Sequence, residues 1–298
     1  MLGEAVNFHL TMITSSPQVA ALALCSGVDA VMVDLERTGK ADRQGTAAIH
    51  VNADISALSA VATVSGSRLS VRVDVPHGEM EQDILMALAV GAGSIVIPMF
   101  RELRTLKRVK ELVAGFRSNE TGPGHEFMQG QPEIIALVET REALDLIQDI
   151  YREELAHRIH FGLRDLSIEL DEQFMFRTLL RSELRSAISR CQRESIPFRI
   201  GGIAPLHRGL IRGERVLALH SALHSSGAFM SREFGSGAAE VSMLGDPEVF
   251  AESVAALKRT FGSMTSRLDA DSSLAGVWID EFERAMLNLG PGLSGEMK

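Results

Sequence analysis

The feature that most constrains the fold is a regular alternation of short apolar segments with helical repeats. Eight candidate strands begin near residues 8, 30, 69, 94, 133, 158, 198 and 227, and helical patterns follow nearly all of them. Strands that alternate with helices pair in parallel, and eight such repeats are the number expected of a (β/α)8 TIM barrel. A doubly wound sheet is the alternative. It would require a glycine-rich phosphate loop after the first strand, where Thr14–Pro17 stands instead.

The end of the chain predicts an additional helix after the barrel. A helix that starts at Asp246-Pro247 is expected to run through Lys258, and residues 262–273 then interrupt the pattern. We therefore predict a barrel catalytic domain over residues 1–262 and a C-terminal helix with a flexible tail over residues 263–298. The last helix has an apolar stripe, which either packs on a neighbouring subunit or folds back on its own barrel. The stripe consists of Leu274, Val277, Trp278, Phe282, Met286 and Leu289.

Composition restricts the class of protein. A hydrophobic fraction of 45% and a mean hydropathy of +0.09 exclude a disordered chain. The net charge of −9 argues against nucleic-acid and anionic-membrane partners, and no apolar run reaches the roughly 20 residues that span a bilayer. Cys25 and Cys191 form no CxxC pair, and no signal peptide precedes the first strand. We expect a cytoplasmic protein that acts on a small molecule.

Two carboxylates follow neighbouring candidate strands. Glu139 closes the apolar run that begins at Ile134, and Asp165 comes just after the strand at 158–161. Because consecutive strand ends lie side by side at one rim of a parallel barrel, these two side chains are suited to a hard cation such as Mg²⁺ or Mn²⁺. The alternative is that both residues belong only to the starts of the following helices, where Thr140 is also available as a cap.

The second and third strands carry further charges. Asp34 and Glu36 follow the second strand, and Arg72 lies near the end of the third. A buried arginine needs a partner, and a guanidinium binds a substrate carboxylate well. A structural ion pair with Asp34, Glu36 or Asp74 is the competing interpretation.

Taken together, these segments resemble the HpcH/HpaI aldolase and citrate lyase beta-subunit family. The resemblance covers roughly residues 8–235 and rests on motifs that occur in the family's order. They are VDAVMVDLE (28–36), VRV (71–73), GA (91–92), IPM (97–99), LVETREA (137–143) and GLRDLS (162–167).

The resemblance implies a metal-dependent aldolase-type lyase. Such an enzyme cleaves or forms a carbon–carbon bond beside a 2-keto acid such as pyruvate, through a metal-stabilised enolate. It also implies that Glu139 and Asp165 are the metal ligands, that Arg72 binds substrate, and that Asp34 and Glu36 belong to the catalytic acidic motif. Trimers or hexamers are expected of the family. Further substrate-binding candidates are Arg37, Met99, Leu163 and Arg164.

Three positions depart from the family pattern. Arg37 stands where aldolases of the family have a histidine, Leu137 replaces a glutamine, and the usual Gly-Pro-x-Asp turn is Gly-Leu-Arg-Asp. A guanidinium stays protonated and cannot act as a base. A metal-bound water, His50 or Lys40 remains as the general base.

Arg37 could instead hold a second anionic group, which favours a dicarboxylate, sugar-acid or phosphorylated partner. Two other functions stay open. One is a citrate lyase-like acyl-CoA lyase or thioesterase, and the other is a binding protein that has lost catalysis.

Overall fold

The structure is a computed structural model that describes residues 8–36, 55–75, 79–116 and 130–289. Eight parallel strands run through these residues, and each starts within one residue of its predicted position. Nearly every strand side chain is buried, because parallel strands are covered on one face by helices and on the other by the barrel interior. The strands are β1 (His9–Ile13), β2 (Ala30–Asp34), β3 (Leu69–Arg72), β4 (Ser94–Ile97), β5 (Glu133–Val138), β6 (Arg158–Phe161), β7 (Phe198–Ile200) and β8 (Gly227–Phe229).

The strands form one sheet in the order β7-β6-β5-β4-β3-β2-β1-β8. Its two edge strands approach each other, since the Ser226 amide donates to the Phe198 carbonyl at 3.1 Å and the Ile203 amide donates to the Phe229 carbonyl at 3.0 Å. Just beyond the strand ends, Ile203 and Met230 form a parallel bridge. The predicted (β/α)8 TIM barrel is therefore confirmed, with C-terminal helices added to it.

The helices pack around the outside of the barrel. None of them, over the described residues, is long and apolar enough to cross a membrane. They are α1 (Pro17–Cys25), α2 (Ile55–Ser65), α3 (Met80–Ala89), α4 (Leu103–Gly115), α5 (Arg141–Arg152), α6 (Leu163–Glu169), α7 (Ser182–Arg193), α8 (Gly213–Ala222), α9 (Pro247–Ala270) and α10 (Leu274–Asn288).

Capping residues start several of these helices where the sequence predicts. The Ser16 hydroxyl accepts from the Val19 amide at 3.4 Å, and Pro17 fills the first helical position of α1. The Asp246 carboxylate accepts from the amides of Glu248 and Val249 at the start of α9. Each cap satisfies amides that have no partner inside the helix.

Two helices differ from prediction. The Arg- and Glu-rich segment 177–194 predicts one long helix, and this prediction is wrong: a 3-10 turn (Met175–Leu180) ends at Arg181, whose extended backbone separates it from α7. The Arg181 guanidinium pairs with Glu172 and Glu183 at 3.5 and 3.2 Å at this break. The expected end of α9 near Lys258 is also wrong, because the helix continues through residue 262 to Ala270 with Phe261 and Leu268 both buried.

The C-terminal helix α10 folds back on its own barrel. It packs chiefly against α8, and Trp278, Phe282 and Met286 are buried there. The Phe282 ring meets Phe176 edge-on at 6.2 Å, and Arg267 lies 5.7 Å from the Trp278 ring centre. Of the two interpretations of the apolar stripe, packing against its own chain is the one observed.

The barrel interior is partly apolar and partly charged. An apolar layer of Ile13, Met32, Val96, Ile135 and Leu137 packs with Phe229. Polar inward-facing side chains lie above and below this layer, at the two ends of the barrel.

Candidate active site

The candidate site lies at the C-terminal rim of the barrel, where β2, β3, β5 and β6 end. Asp34 and Arg72 are the last residues of β2 and β3 and are direct neighbours in strand register. Glu139 follows β5 immediately, and Asp165 lies in the first turn of α6, just after β6. All four side chains are buried. Active sites of TIM barrels occupy this end.

Arg72 is held by Asp34 in a two-pronged ion pair. Its Nε donates to Oδ1 at 2.9 Å and its Nη2 donates to Oδ2 at 2.6 Å. Glu36 Oε2 lies 3.6 Å from the same Nη2. Burial alone would lower the pKa of Arg72, but the charges of Asp34 and Glu36 outweigh it and raise that pKa well above its ordinary value. The structural ion pair considered at the sequence level is therefore present.

This pairing leaves one end of the guanidinium available. The Nε and Nη2 donors of Arg72 both point at the acidic motif, whereas Nη1 has no hydrogen-bond partner among the described residues. A guanidinium that is fixed on one side by a carboxylate is preorganised to bind an oxygen atom with its other side. The ion pair is thus compatible with substrate binding by Arg72.

Glu139 is fixed from the neighbouring β4 loop. Its Oε1 accepts from the Met99 amide at 3.1 Å, and Met99 adopts the left-handed region with φ of 51°. A non-glycine residue in that region is strained, and such strain concentrates at functional sites. The following residue, Thr140, caps α5 through the Ala143 amide and donates to the Phe100 carbonyl at 2.8 Å. These contacts tie the β4 and β5 loops together around the Glu139 carboxylate.

The electrostatics of Glu139 indicate crowded negative charge. Burial raises the pKa of Glu139 well above its ordinary value, the nearby charges of Asp165 and Glu36 raise it further, and Arg72 opposes them. Like charges held together in a buried site favour protonation or the binding of a cation. In the part of the chain that the structure describes, no group of three or more His, Cys, Asp or Glu residues forms a metal-binding cluster. Glu139 and Asp165 are the pair that remains for a cation.

Gly162 makes room for the Glu139 carboxylate. A Cβ atom built on Gly162 would lie 2.7 Å from Glu139 Oε2, 3.0 Å from Glu139 Cβ and 3.2 Å from Leu137 Cδ1. Any larger residue would displace the carboxylate. Gly162 is also the N-cap residue of α6, so Asp165 is not the cap that the alternative interpretation proposed.

The other site residues predicted from the sequence lie in different places. Arg37, Lys40 and His50 lie outside the described residues. Leu163 packs in the hydrophobic core, whereas Arg164 is half-buried, with an Nε that has no hydrogen-bond partner. Met99 contributes to the site by donating its backbone amide to the Glu139 carboxylate.

Sequence reasoning missed His160, which lies inside the barrel beneath the site. Its ring stacks on Phe229 with 3.7 Å between centroids. Burial, and next the charge of Arg199, lower the pKa of His160 well below its ordinary value, so the ring is neutral. The alternation in the β6 segment RIHF was the signal that could have found it, because it places His160 on the same face as Gly162.

A solvent-open cleft of about 520 Å³ opens on the β7–β8 side of the rim. Its walls are largely apolar and combine the 3-10 turn with the loops after β7 and β8. The lining includes Phe174, Phe176, Leu210, Ile211, Ser231 and Arg232.

Comparison with known proteins identifies relatives of this arrangement. The model of the HpcH/HpaI aldolase/citrate lyase family matches residues 9–195. No curated protein matches the chain.

Solved structures with a similar fold include three of low identity. The citrate synthase SbnG is 18% identical, with a TM-score of 0.56, over 89% of this chain and 95% of that one. A HpcH/HpaI aldolase/citrate lyase family protein from Burkholderia cenocepacia is 15% identical, with a TM-score of 0.57, over 77% and 89% of the two chains. A HpcH/HpaI aldolase from Desulfitobacterium hafniense is also 15% identical, with a TM-score of 0.57, over 76% and 86%. At these identities the likeness concerns the fold.

Proposed function

The chain belongs to the HpcH/HpaI aldolase/citrate lyase family, and on this premise we propose that it is a divalent-metal-dependent carbon–carbon lyase of the aldolase type. Its substrate would be a 2-keto acid such as pyruvate, either released from a larger molecule or added to a carbonyl partner. The observation that carries this proposal is the buried convergence of Glu139, Asp165 and Arg72 at the C-terminal rim.

The residues present fit a hard divalent cation. Glu139 and Asp165 offer carboxylate oxygens, and Mg²⁺ commonly binds through one or two carboxylates, with waters and substrate completing its shell. Burial, and next the negative charge of Asp165, raise the pKa of Glu139, and a bound cation would favour its charged form. The absence of a side chain at Gly162 keeps Oε2 of Glu139 unobstructed. We therefore propose that these two residues hold Mg²⁺ or Mn²⁺.

The chemistry requires stabilisation of an enolate. When bound, a divalent cation supplies Lewis-acid stabilisation of the negative charge that develops on the substrate oxygen. Arg72 adds a permanent positive charge there, because Asp34 fixes its orientation and leaves Nη1 for the substrate. The strained amide of Met99 holds Glu139 in place without consuming its second oxygen.

The proton donor or acceptor must come from another group. His160 is unsuited, because it is buried and its lowered pKa makes it a weak base. Arg37 stays protonated. His50 and Lys40, in the stretch of sequence that follows β2, remain the proposed candidates, with a water molecule as the third possibility.

The carbonyl partner is proposed to occupy the cleft on the β7–β8 side. Arg232 in the cleft wall favours a partner that carries a carboxylate. This supports the dicarboxylate class over a neutral partner. The trimeric or hexameric assembly expected of the family remains a proposal, which light scattering of the full chain tests.

Deuterium exchange tests the proposed half-reaction. With Mn²⁺ present, the protein is expected to exchange the methyl protons of pyruvate with D₂O, because enolate formation needs no carbonyl partner. Asp165→Asn is expected to abolish exchange and Mn²⁺ binding in calorimetry, while the exposed Glu142→Gln leaves both unchanged.

Failure of exchange has a defined meaning. If Mn²⁺ binds and pyruvate, oxaloacetate and acetyl-CoA all show no exchange, the non-catalytic binding barrel becomes the better interpretation. Wild-type Mn²⁺ affinity in both Glu139→Gln and Asp165→Asn would contradict the metal assignment itself.

A further inference from the structure

The opposite, N-terminal end of the barrel holds a second concentration of buried charge. Inward-facing Arg158 on β6 and Arg199 on β7 lie near His9 on β1 and Glu133 on β5. Asp29, which precedes β2, is also within electrostatic reach of Arg199. TIM-barrel chemistry takes place at the other end, so these residues are not explained by the proposed reaction.

Ion pairs account for most of these charges. The Nε of Arg158 donates to Glu133 Oε1 at 2.9 Å. Lys258, on α9, places its Nζ 2.7 Å from Asp29 Oδ2 and 2.8 Å from Oδ1. Glu133 and Asp29, the two acids placed at this end among the described residues, are thus each paired with a base other than Arg199.

Arg199 is the exception. Its side chain is 7% exposed and makes no hydrogen bond or ion pair with the described residues, and its Nε is fully buried. The Nε2 of His9 is also buried without a partner. A buried guanidinium without an acceptor is costly, since it loses its hydration and gains nothing in return.

The titration behaviour of both groups agrees with an excess of positive charge. Burial, and then the charge of Arg158, lower the pKa of Arg199 to about 10, so it remains protonated at neutral pH. Burial, and next the charge of Arg199, lower the pKa of His9 to about 3. Both shifts are in the direction that a nearby anion would reverse.

We infer that the N-terminal mouth of the barrel binds a small oxyanion between Arg199 and His9, with Arg158 beside it. The ligand class is a compact carboxylate or inorganic phosphate, because guanidinium groups match these oxygens, and the Nε of Arg199 and the Nε2 of His9 are both buried. Such an anion would link β1, β6 and β7 across the barrel and stabilise the fold without contacting the catalytic rim.

Thermal unfolding with inorganic phosphate is the first test. At constant ionic strength, with a bulky sulfonate as the background anion, phosphate is expected to raise the Tm saturably. The expected rise is about 2 °C for each tenfold increase above the dissociation constant. Acetate and chloride in parallel distinguish an oxyanion site from one for any small anion.

Variants then separate this site from the catalytic rim. Arg199→Met is expected to abolish the phosphate effect, and Asp165→Asn is expected to keep it. Arg259→Met is the matched control, because Arg259 lies exposed on α9 in an ion pair with Glu252. If Arg199→Met does not fold, His9→Phe provides the second variant, with a weakened phosphate response expected.

Calorimetry on the wild-type protein tests whether any of these anions binds at all. No saturable binding of phosphate, acetate or chloride would mean that ordered water alone satisfies Arg199, and the inference would be overturned. The same conclusion follows if Arg199→Met responds to phosphate as the wild type does.

Discussion

Replacing Gly162 by alanine tests how the candidate metal ligand is held. The new Cβ would lie 2.7 Å from Glu139 Oε2, whereas ordinary contacts begin at 3.4 Å, so the two atoms must separate by about 0.7 Å. The backbone of Gly162, with φ of −85° and ψ of 88°, does not itself require glycine. The effect of the substitution is therefore steric, and it acts chiefly on Glu139, with Leu137 Cδ1 as a lesser contact.

The size of the effect follows from which atom can move. The Glu139 carboxylate is anchored through Oε1 by the Met99 amide, and its Oε2 is free to move. Rotating the carboxylate relieves the clash at Oε2 but changes its present orientation. Overpacking costs about 1–3 kcal/mol, and the contact with Glu139 Cβ, which cannot rotate away as Oε2 can, places this case near the middle of that range. Ligand distances tolerate only about 0.2 Å, so Mn²⁺ affinity is expected to fall by about tenfold or more.

Calorimetric Mn²⁺ titration and urea unfolding measure the two effects. Gly262→Ala is the matched control, because nothing lies within 4 Å of its Cβ position in α9 and alanine should stabilise the helix by about 0.5–1 kcal/mol. A double-mutant cycle with Glu139→Ala isolates the clash, since removing the carboxylate should relieve most of the destabilisation. Strictly additive effects in that cycle, or unchanged Mn²⁺ affinity in Gly162→Ala, would refute the reasoning.

Three further predictions concern stability. The pKa of His220 is lowered by burial to about 3, below its unfolded value of 6.5, so its contribution to stability is complete above pH 6.5 and is lost as the pH falls towards 3. His220→Gln should reduce the slope of unfolding free energy against pH by at most about 1.4 kcal/mol per unit there, and an unchanged slope contradicts this. Glu154 follows α5 with φ of 52°, so Glu154→Gly should raise the unfolding free energy by about 1 kcal/mol in urea titration; any loss of stability is evidence against it. Phe282→Ala should cost about 3–5 kcal/mol in the same assay, against less than about 0.5 for the exposed Val277→Ala on the same helix, and equal costs would mean that α10 is not docked.

The sequence by itself determined the barrel and the positions of its acidic strand ends. Apolar runs and helical repeats are local patterns, and each of the eight strands begins where its own segment predicts. The same local logic placed Glu139 after β5 and Asp165 after β6, since a residue that follows a parallel strand lies at a known rim. Helix starts followed from caps at Ser16 and Asp246.

Helix ends and side-chain partners required the tertiary structure. At the break, Arg181 forms ion pairs with Glu172 and Glu183, and over its extension to Ala270 α9 keeps Phe261 and Leu268 buried against other elements. Neither is a property of the local sequence.

Only the tertiary structure decided how the charges are shared. Asp34 and Arg72 are 38 residues apart in the chain, and the register of β2 with β3 makes them partners. The amide of Met99 reaches Glu139 only because β4 and β5 are neighbours in the sheet. That Arg199 has no partner among the described residues could not be seen in the sequence, for the same physical reason. Closing a barrel brings distant strands together, and that contact, rather than any local pattern, settles which buried charges find a partner.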